Sequence, residues 1–535
     1  MSRRAGNREN SNVGLRERIL TAMERMQGAA LIALVAGSGL CFGGAVWWFP
    51  AALAVLAFAV VAIRLVQFAA LGRFSILRSP VTLLWILLLG LGVAQLVALP
   101  APLARRVSPA AREIWTTGSW SPLVRQDDPD ASPPPAVEIR SPATIDRAAT
   151  LHWLLGAAAC LAVFWAASHH VDRLGRLYWV LGSVVGIFLL NTAFGIVEFG
   201  GGAEGLYGMM IPGRAPAWGP NVDDLLASPA PVELRRVGAP ERDGGPPIER
   251  IAAVADRPML VGTMMGGPGA ILAMGSMALP IGLGILLHLL SPRGSRESLG
   301  DRLGRTGLGS LSVLMVFLLA SGSFLAGMMA GPWFCLPFAA AVVMVGMPGV
   351  MSPGVRWLSL GLTLLLLASL GLGAVTVNTL PEYLALRVPV TPISWEATRQ
   401  LWTECLPIVR DFPIIGTGFG TFPTIHAYFK TQDLPSGPAM SSLLRGLVES
   451  GWAGALLLAS AGLWMFCRLP SGLKRVGTAD RVLAHGLIGA AVGFTLWSVL
   501  HWTVELPVVA ISASALGGTC NRWLAGGTDL FVDRA

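Results

Sequence analysis

Long apolar runs are the feature that most restricts this chain. Runs of about 18 or more residues recur from end to end, and a stretch of that length without charge is what a helix needs to cross a hydrocarbon layer. They fall near 28–48, 50–71, 81–100, 149–168, 177–199, 259–290, 309–330, 332–351, 357–377, 443–467, 482–502 and 506–522. The expected fold is therefore an all-α polytopic membrane protein of about 12 transmembrane helices. Composition agrees: 53% of the 535 residues are hydrophobic and 13% are charged, about half the charge of an average soluble domain. With a mean hydropathy of +0.63, a cytosolic enzyme, a disordered chain and a disulfide-stapled secreted domain are all excluded.

Charge then sets the expected orientation. The net charge is +8, but the basic residues are dispersed, so they mark topology rather than nucleic acid. Short segments on one side carry Arg3, Arg4, Arg73, Arg78, Arg173, Arg176, Arg293, Arg296, Arg356, Arg468, Lys474 and Arg475, while the short turns near 49, 331 and 504 carry none. Under the positive-inside rule both termini are cytoplasmic, and three long outer segments lie near 101–147, 200–258 and 378–441. The division that follows is a tail over 1–27, a bundle over 28–377, the large outer loop over 378–441, three spans over 442–524 and a tail over 525–535. In the first tail, Leu15, Ile19, Leu20, Met23 and Met26 share a helical face, which predicts an interfacial helix.

The outer segments differ in kind. Residues 121–142 and 212–249 are rich in Pro, Gly and charge and read as irregular chain. Residues 381–429 carry helical patterns and aromatics and read as a folded insertion. There Trp395, Arg399 and Trp402 share a helical face, and an Arg between two Trp at a membrane surface either grips a phosphate or stacks and snorkels. Gly416-Thr-Gly-Phe-Gly-Thr-Phe422 has the glycines of a phosphate loop without its Lys-Ser/Thr, so a tight structural turn behind Pro413 is expected. His501 and Glu505 are spaced to face each other on one helical turn, as a structural pair or a proton-handling one. Asn191, Glu198, His288 and Glu449 are isolated polar residues in or near spans. The six cysteines stand singly and no metal-binding spacing occurs, so neither a metal nor a cofactor is expected.

From Arg399 to Gly451 the chain resembles the O-antigen ligase and polymerase family of bacterial inner membranes. The large loop of that family runs Arg-x-x-x-Trp, then Asp-x-Pro-x-x-Gly-x-Gly-x-Gly/Asn-x-Phe, a Tyr, then His-Asn-x-x-Leu-x-x-x-x-Glu-x-Gly. The matching residues are Arg399, Trp402 (one place early), Asp411, Pro413, Gly416, Gly418, Gly420, Phe422, Tyr428, Leu444, Glu449 and Gly451. Gln95-Leu-Val-Ala-Leu-Pro100 with Ser108-Pro109, Ser141-Pro-Ala-Thr144, and His501, Glu505 and Pro507 resemble further family signatures, so the likeness spans about 80–518. It implies a GT-C-like bundle with its site at the periplasmic membrane face. The implied substrates are an undecaprenyl-diphosphate-linked glycan donor and a lipid or glycan acceptor, joined without a metal, and membrane lipids surround the site; nucleic acid is not a partner.

The resemblance also implies that an arginine holds the diphosphate and that a loop histidine takes the acceptor proton. The family His-Asn falls here on Met440-Ser441, its Ser-Arg-Gly on Ser323-Phe324-Leu325, and two family Asn on Gly266 and Pro268. With Met440 in place of the base, the candidates are His426 and Glu449 for catalysis and Arg399 for the diphosphate. Trp402, Asp411, Gly416, Gly418, Gly420 and Tyr428 supply the loop framework. Two further readings stay open: a non-catalytic relative that binds lipid-linked glycan or a partner enzyme, and a transporter.

Overall fold

The computed structural model describes residues 2–40, 49–72, 79–117, 141–201, 268–291, 308–346, 353–376, 395–429, 441–477, 480–500 and 506–525. These residues are almost entirely helical. In chain order the helices are α1 (Ser2–Leu40), α2 (Phe49–Leu71), α3 (Pro80–Leu96), α4 (Ala101–Val107), α5 (Pro109–Thr117), α6 (Arg147–His170), α7 (Leu174–Gly201) and α8 (Pro268–Leu290). They continue as α9 (Leu308–Phe334), α10 (Leu336–Gly346), α11 (Pro353–Thr376), α12 (Trp395–Asp411), α13 (Phe422–Phe429), α14 (Ser442–Arg475), α15 (Arg481–Leu500) and α16 (Pro507–Leu524). One antiparallel ladder joins β1 (Ala98–Leu99) to β2 (Ser141–Pro142), with Leu99 opposite Ser141.

Among the described residues, nine helices are long and apolar enough to cross a membrane, and two shorter apolar helices lie at Pro80–Leu96 and Leu336–Val345. The protein is a multi-pass membrane protein by that criterion. Three of the expected twelve, α3, α10 and α16, do not meet that criterion among the described residues, and for the first two the cause is local. The α3 run is ended early by the β1 strand and Pro100, and α10 is a short helix that starts immediately after α9 at Cys335. The amino-terminal tail also differs from expectation. Rather than an interfacial helix followed by a separate span, α1 is one continuous helix, and its apolar stretch begins at Glu17. Ile19 and Met26, on the apolar face expected to lie against the membrane, are 51% and 57% exposed.

At the centre stands α8. Its apolar window is buried entirely inside the protein, with α7, α9, α10 and α15 packed around it. A helix hydrophobic on every side is what complete enclosure demands. Close approach depends on small residues: a Cβ on Gly284 of α8 would meet the backbone of Gly486 of α15, and one on Gly489 would meet the Ala341 carbonyl of α10. Among apolar helices, which gain nothing from shedding lipid of equal polarity, such contact is what holds the pair.

Two helices define the depth of the bundle. α3 and α6 pack against each other and run in opposite directions. Ser79 caps the start of α3, donating to Asn521 while accepting from the Val81 N–H. Asn521 in turn donates to Ser168 near the end of α6. At their other ends the Gln95 carbonyl of α3 accepts from the Ala143 and Thr144 N–H groups just before α6. At 1.5 Å per residue, helices of 17 and 24 residues separate these two polar ends by about 26–36 Å, close to the thickness of a hydrocarbon core.

Candidate functional site

One of those ends is closed by the segment 412–421. Pro413 cannot continue the helix geometry of Asp411, so α12 stops there. The chain then turns through Gly416, Gly418 and Gly420, at φ +71°, +108° and +79°. Side chains rarely adopt these angles, and there is no room for one. A Cβ on Gly416 would strike the Glu449 backbone, one on Gly418 the Thr144 side chain, and one on Gly420 the Ala149 carbonyl.

The turn is built into α14. Gly451, at φ +60° and ψ −163°, breaks that helix. An unbroken helix would bond the N–H groups of Trp452 and Ala453 to the carbonyls of Val448 and Glu449. Instead Trp452 and Ala453 donate to Pro413 and Ile414 at 2.9 and 3.0 Å, and Val448 and Glu449 accept from Thr417 and Gly418 at 3.0 and 3.1 Å. The turn thus takes up every backbone group that the kink frees, which is the requirement for irregular backbone at this depth.

Gln95 locks the assembly. It is 0% exposed. Its Nε2 donates to the carbonyls of Ile415 (2.6 Å) and Glu449 (2.9 Å), and its Oε1 accepts from the Phe419 N–H (3.1 Å). The Thr144 hydroxyl meets that of Thr150 at 2.7 Å, the Thr144 carbonyl accepts from Trp115 Nε1, and the Ile145 N–H donates to Thr417. Phe419 stacks on Trp153 of α6 with ring centroids 3.7 Å apart.

One buried ion pair and one buried histidine–carboxylate pair lie under the turn. Glu449 Oε1 accepts from Arg445 Nε at 2.7 Å and from the Phe422 N–H at 3.0 Å, so it both neutralises Arg445 and satisfies the first residue of α13. On α13, His426 Nε2 lies 3.1 Å from Glu404 Oε2, while Gln400 Nε2 donates to Glu404 Oε1 at 3.0 Å. Phe422 joins the two pairs: its ring stacks on His426 at 5.2 Å and lies 5.8 Å from the Arg445 guanidinium. With Glu404 ionised, the His426 proton sits on Nε2 and the lone pair on Nδ1. Cys405, buried beside Glu404, has its thiol pushed up to about 12 by burial, with the Glu404 charge adding to it.

Of the residues picked out by sequence, His426, Glu449, Gly416, Gly418 and Gly420 come together here. Trp402 is half-buried against the cluster of Leu401, Cys405, Ile408 and Phe412, and Asp411 is half-buried at the end of α12. α12 also carries the Trp395–Arg399–Trp402 set, of which the Trp395 side chain lies outside the described residues. The buried face of α12 is Leu401, Glu404, Cys405, Ile408 and Val409, and Arg399 is exposed. The backbone of Tyr428 lies in α13; its side chain, and His501 and Glu505, lie outside the described residues. Asn191 donates to the Ile187 carbonyl of its own helix, and His288 lies 3.5 Å from Asp480.

Sequence reasoning missed Glu404 and Arg445. The signal for Arg445 was its four-residue spacing to Glu449, which puts both on one helical turn. Glu404 had a weaker one, a carboxylate in phase with the apolar face of α12. Among the described residues no group of His, Cys, Asp and Glu is arranged to hold a metal ion. Compared with protein-family models and with curated proteins, the chain matches none.

Proposed function

We propose that this chain handles a polyprenyl-diphosphate-linked glycan at the face closed by the glycine turn, in the manner of an O-antigen ligase or polymerase in cell-surface polysaccharide assembly. In this reading it is a bundle of about twelve spans of GT-C-like form, in a bacterial inner membrane with both termini cytoplasmic. One observation supports it above others. Four separated stretches that carry the family resemblance (Gln95–Pro100, Ser141–Thr144, Asp411–Phe422 and Glu449–Gly451) are bonded to one another in a single node. What was order along the chain is contiguity in space.

The chemistry follows from the side chains present. The acceptor hydroxyl oxygen attacks the anomeric carbon of the donor sugar and gives its proton to His426. The bond from that carbon to the diphosphate oxygen breaks, and its electron pair leaves with the polyprenyl diphosphate. Glu404 holds the imidazole in the tautomer that accepts on Nδ1 and stabilises the imidazolium. Arg399, on the exposed face of α12, meets the diphosphate and the charge growing on it. Glu449, with its Oε1 committed to Arg445 and Phe422, serves as a positioning residue for α13.

One observation favours the second reading, a non-catalytic relative that binds the same lipid-linked glycan. His426 is only 9% exposed, and an acceptor reaches it only after α12 and α13 part. Protein in nanodiscs given a labelled polyprenyl-diphosphate glycan and an acceptor separates the two. Transfer lost in His426→Ala with binding retained supports the enzyme, and binding without transfer by the native chain supports the binder. Transfer undiminished in both Arg399→Ala and His426→Ala overturns the site.

A further inference from the structure

The opposite end of α6 gathers polar groups from five helices that pack together there: α1, α2, α6, α7 and α16. Arg176 of α7 is neutralised, with Glu24 of α1 at 2.6 Å and Asp172 at 3.0 Å. Arg64 and Arg522 are not. Arg64 Nη1 donates to Gln67 Oε1 at 2.9 Å and Nη2 to the His169 carbonyl at 3.3 Å, both neutral acceptors, and its guanidinium stands over Phe68. Among the described residues no carboxylate lies within ion-pair distance of Arg64 or Arg522, although Glu24, Asp172, Arg176 and Arg522 all lie within electrostatic reach of Arg64. Arg522 neighbours Asn521, which reaches Ser168 beside the two histidines.

A second observation is independent of the charges. Buried donors in this region lack acceptors: Gln27 Nε2, Gln67 Nε2, Arg64 Nε and Arg522 Nε. Gln27 and Gln67 are 0% and 1% exposed. The Gln67 amide is the one that takes Arg64, so its unpaired Nε2 belongs to the same cluster. Gln27 precedes Gly28, where a Cβ would come within 2.8 Å of His170 Nε2. An unpaired buried donor is costly, and native proteins rarely keep several together. Acceptors without a hydrogen bond are present as well, at Gln27 Oε1, His170 Nδ1 and Asp172 Oδ1, but four unpaired donors with two guanidinium groups outside ion-pair distance of any described carboxylate fit a negatively charged guest rich in acceptors. Tetrahedral phosphate oxygens match the guanidinium fork in geometry and charge, and basic pockets between spans are where lipid phosphates bind.

We propose that Arg64, Arg522, Gln27 and Gln67 form a binding site for a phosphate-bearing anion, a lipid phosphodiester or free phosphate, at the end of the bundle opposite the glycine turn. The site is independent of glycan transfer. The test is thermal unfolding of the full chain in neutral detergent at fixed ionic strength, titrated with phosphatidylglycerol, with inorganic phosphate, or with phosphatidylcholine as the control. Saturable stabilisation by phosphatidylglycerol alone identifies the lipid as the source. The same effect with inorganic phosphate identifies the free anion. In either case Arg64→Gln and Arg522→Gln weaken the apparent affinity by about tenfold or more, while Arg173→Gln, an exposed arginine of the same end, leaves it unchanged. Should Arg64→Gln fail to fold, Arg522→Gln and Gln67→Leu carry the test. No stabilisation beyond phosphatidylcholine, or stabilisation unchanged in the arginine variants, overturns the proposal.

Discussion

The two ends of α3 and α6 solve the same problem in opposite ways. At the glycine-turn end the groups of the node are paired, from the Gln95 amide through Glu449, Arg445 and Glu404 to the hydroxyls of Thr144, Thr150, Thr417 and Thr421; among the described residues nearby, the Ser108 and Ser141 hydroxyls and Arg112 Nε are left over. At the far end, both polar atoms of Gln27 and donors of Gln67, Arg64 and Arg522 find nothing. A saturated network holds one geometry, because every change leaves some partner exposed to a low-dielectric surrounding. An unsaturated one stores a preference for a guest. The first end therefore reads as a scaffold under a site, and the second as a site still open to a ligand.

The difference predicts substitutions of unequal size and sign. Glu449→Ala should have the largest effect, about 3–5 kcal/mol of lost stability, because Arg445 is left buried without its counter-charge. Unfolding of the purified variant measures it, and adding Arg445→Met should recover part of the loss. Gly451→Ala should cost about 3 kcal/mol, since its dihedrals lie in a region open essentially to glycine alone, and the loss should appear in the same assay. If either change is silent, the glycine-turn end is not the rigid scaffold described.

At the other end, Gln27→Leu should be neutral or stabilising by about 1–2 kcal/mol in neutral detergent, because it removes two unsatisfied atoms. A clear destabilisation there would erase the contrast between the two ends. At neutral pH the smallest effect concerns Cys405. Its thiol is held up to about 12 in the folded protein against an ordinary value of 9.0. Below pH 9 both folded and unfolded thiols are protonated and the group is neutral to stability. Above it the unfolded thiol ionises first, so stability should fall by about 1.4 kcal/mol per pH unit until the folded value is reached. Maleimide should leave Cys405 unmodified at pH 8 until the protein is unfolded.

Much of this architecture could be read from residue types alone, because length and apolarity are local properties. The apolar runs anticipate the long helices, and three closely spaced glycines behind Pro413 anticipate a turn rather than a phosphate loop. Partnership is not local. His426 and Glu404 stand on different helices, and no spacing rule links them. Gln27, Gln67 and Arg522 meet through the packing of α1, α2 and α16, which no periodicity encodes. On α12 the side that packs against α13 and α14 is set by Leu401, Cys405, Ile408 and Val409, and the spacing of Arg399 between its tryptophans does not reveal it.

The enclosure of α8 has a consequence for how the molecule is made. Membrane helices enter the bilayer in the order of synthesis, and α15, which covers one side of α8, lies some two hundred residues downstream. Until α15 arrives, the Gly284 side of α8 faces acyl chains, and a helix apolar all round tolerates both that interim state and the final one. Closing the Gly284–Gly486 seam is then a late step, in which lipid is displaced by backbone. A larger residue at either glycine leaves insertion untouched and arrests the chain afterwards, as a fully inserted bundle that never completes its core.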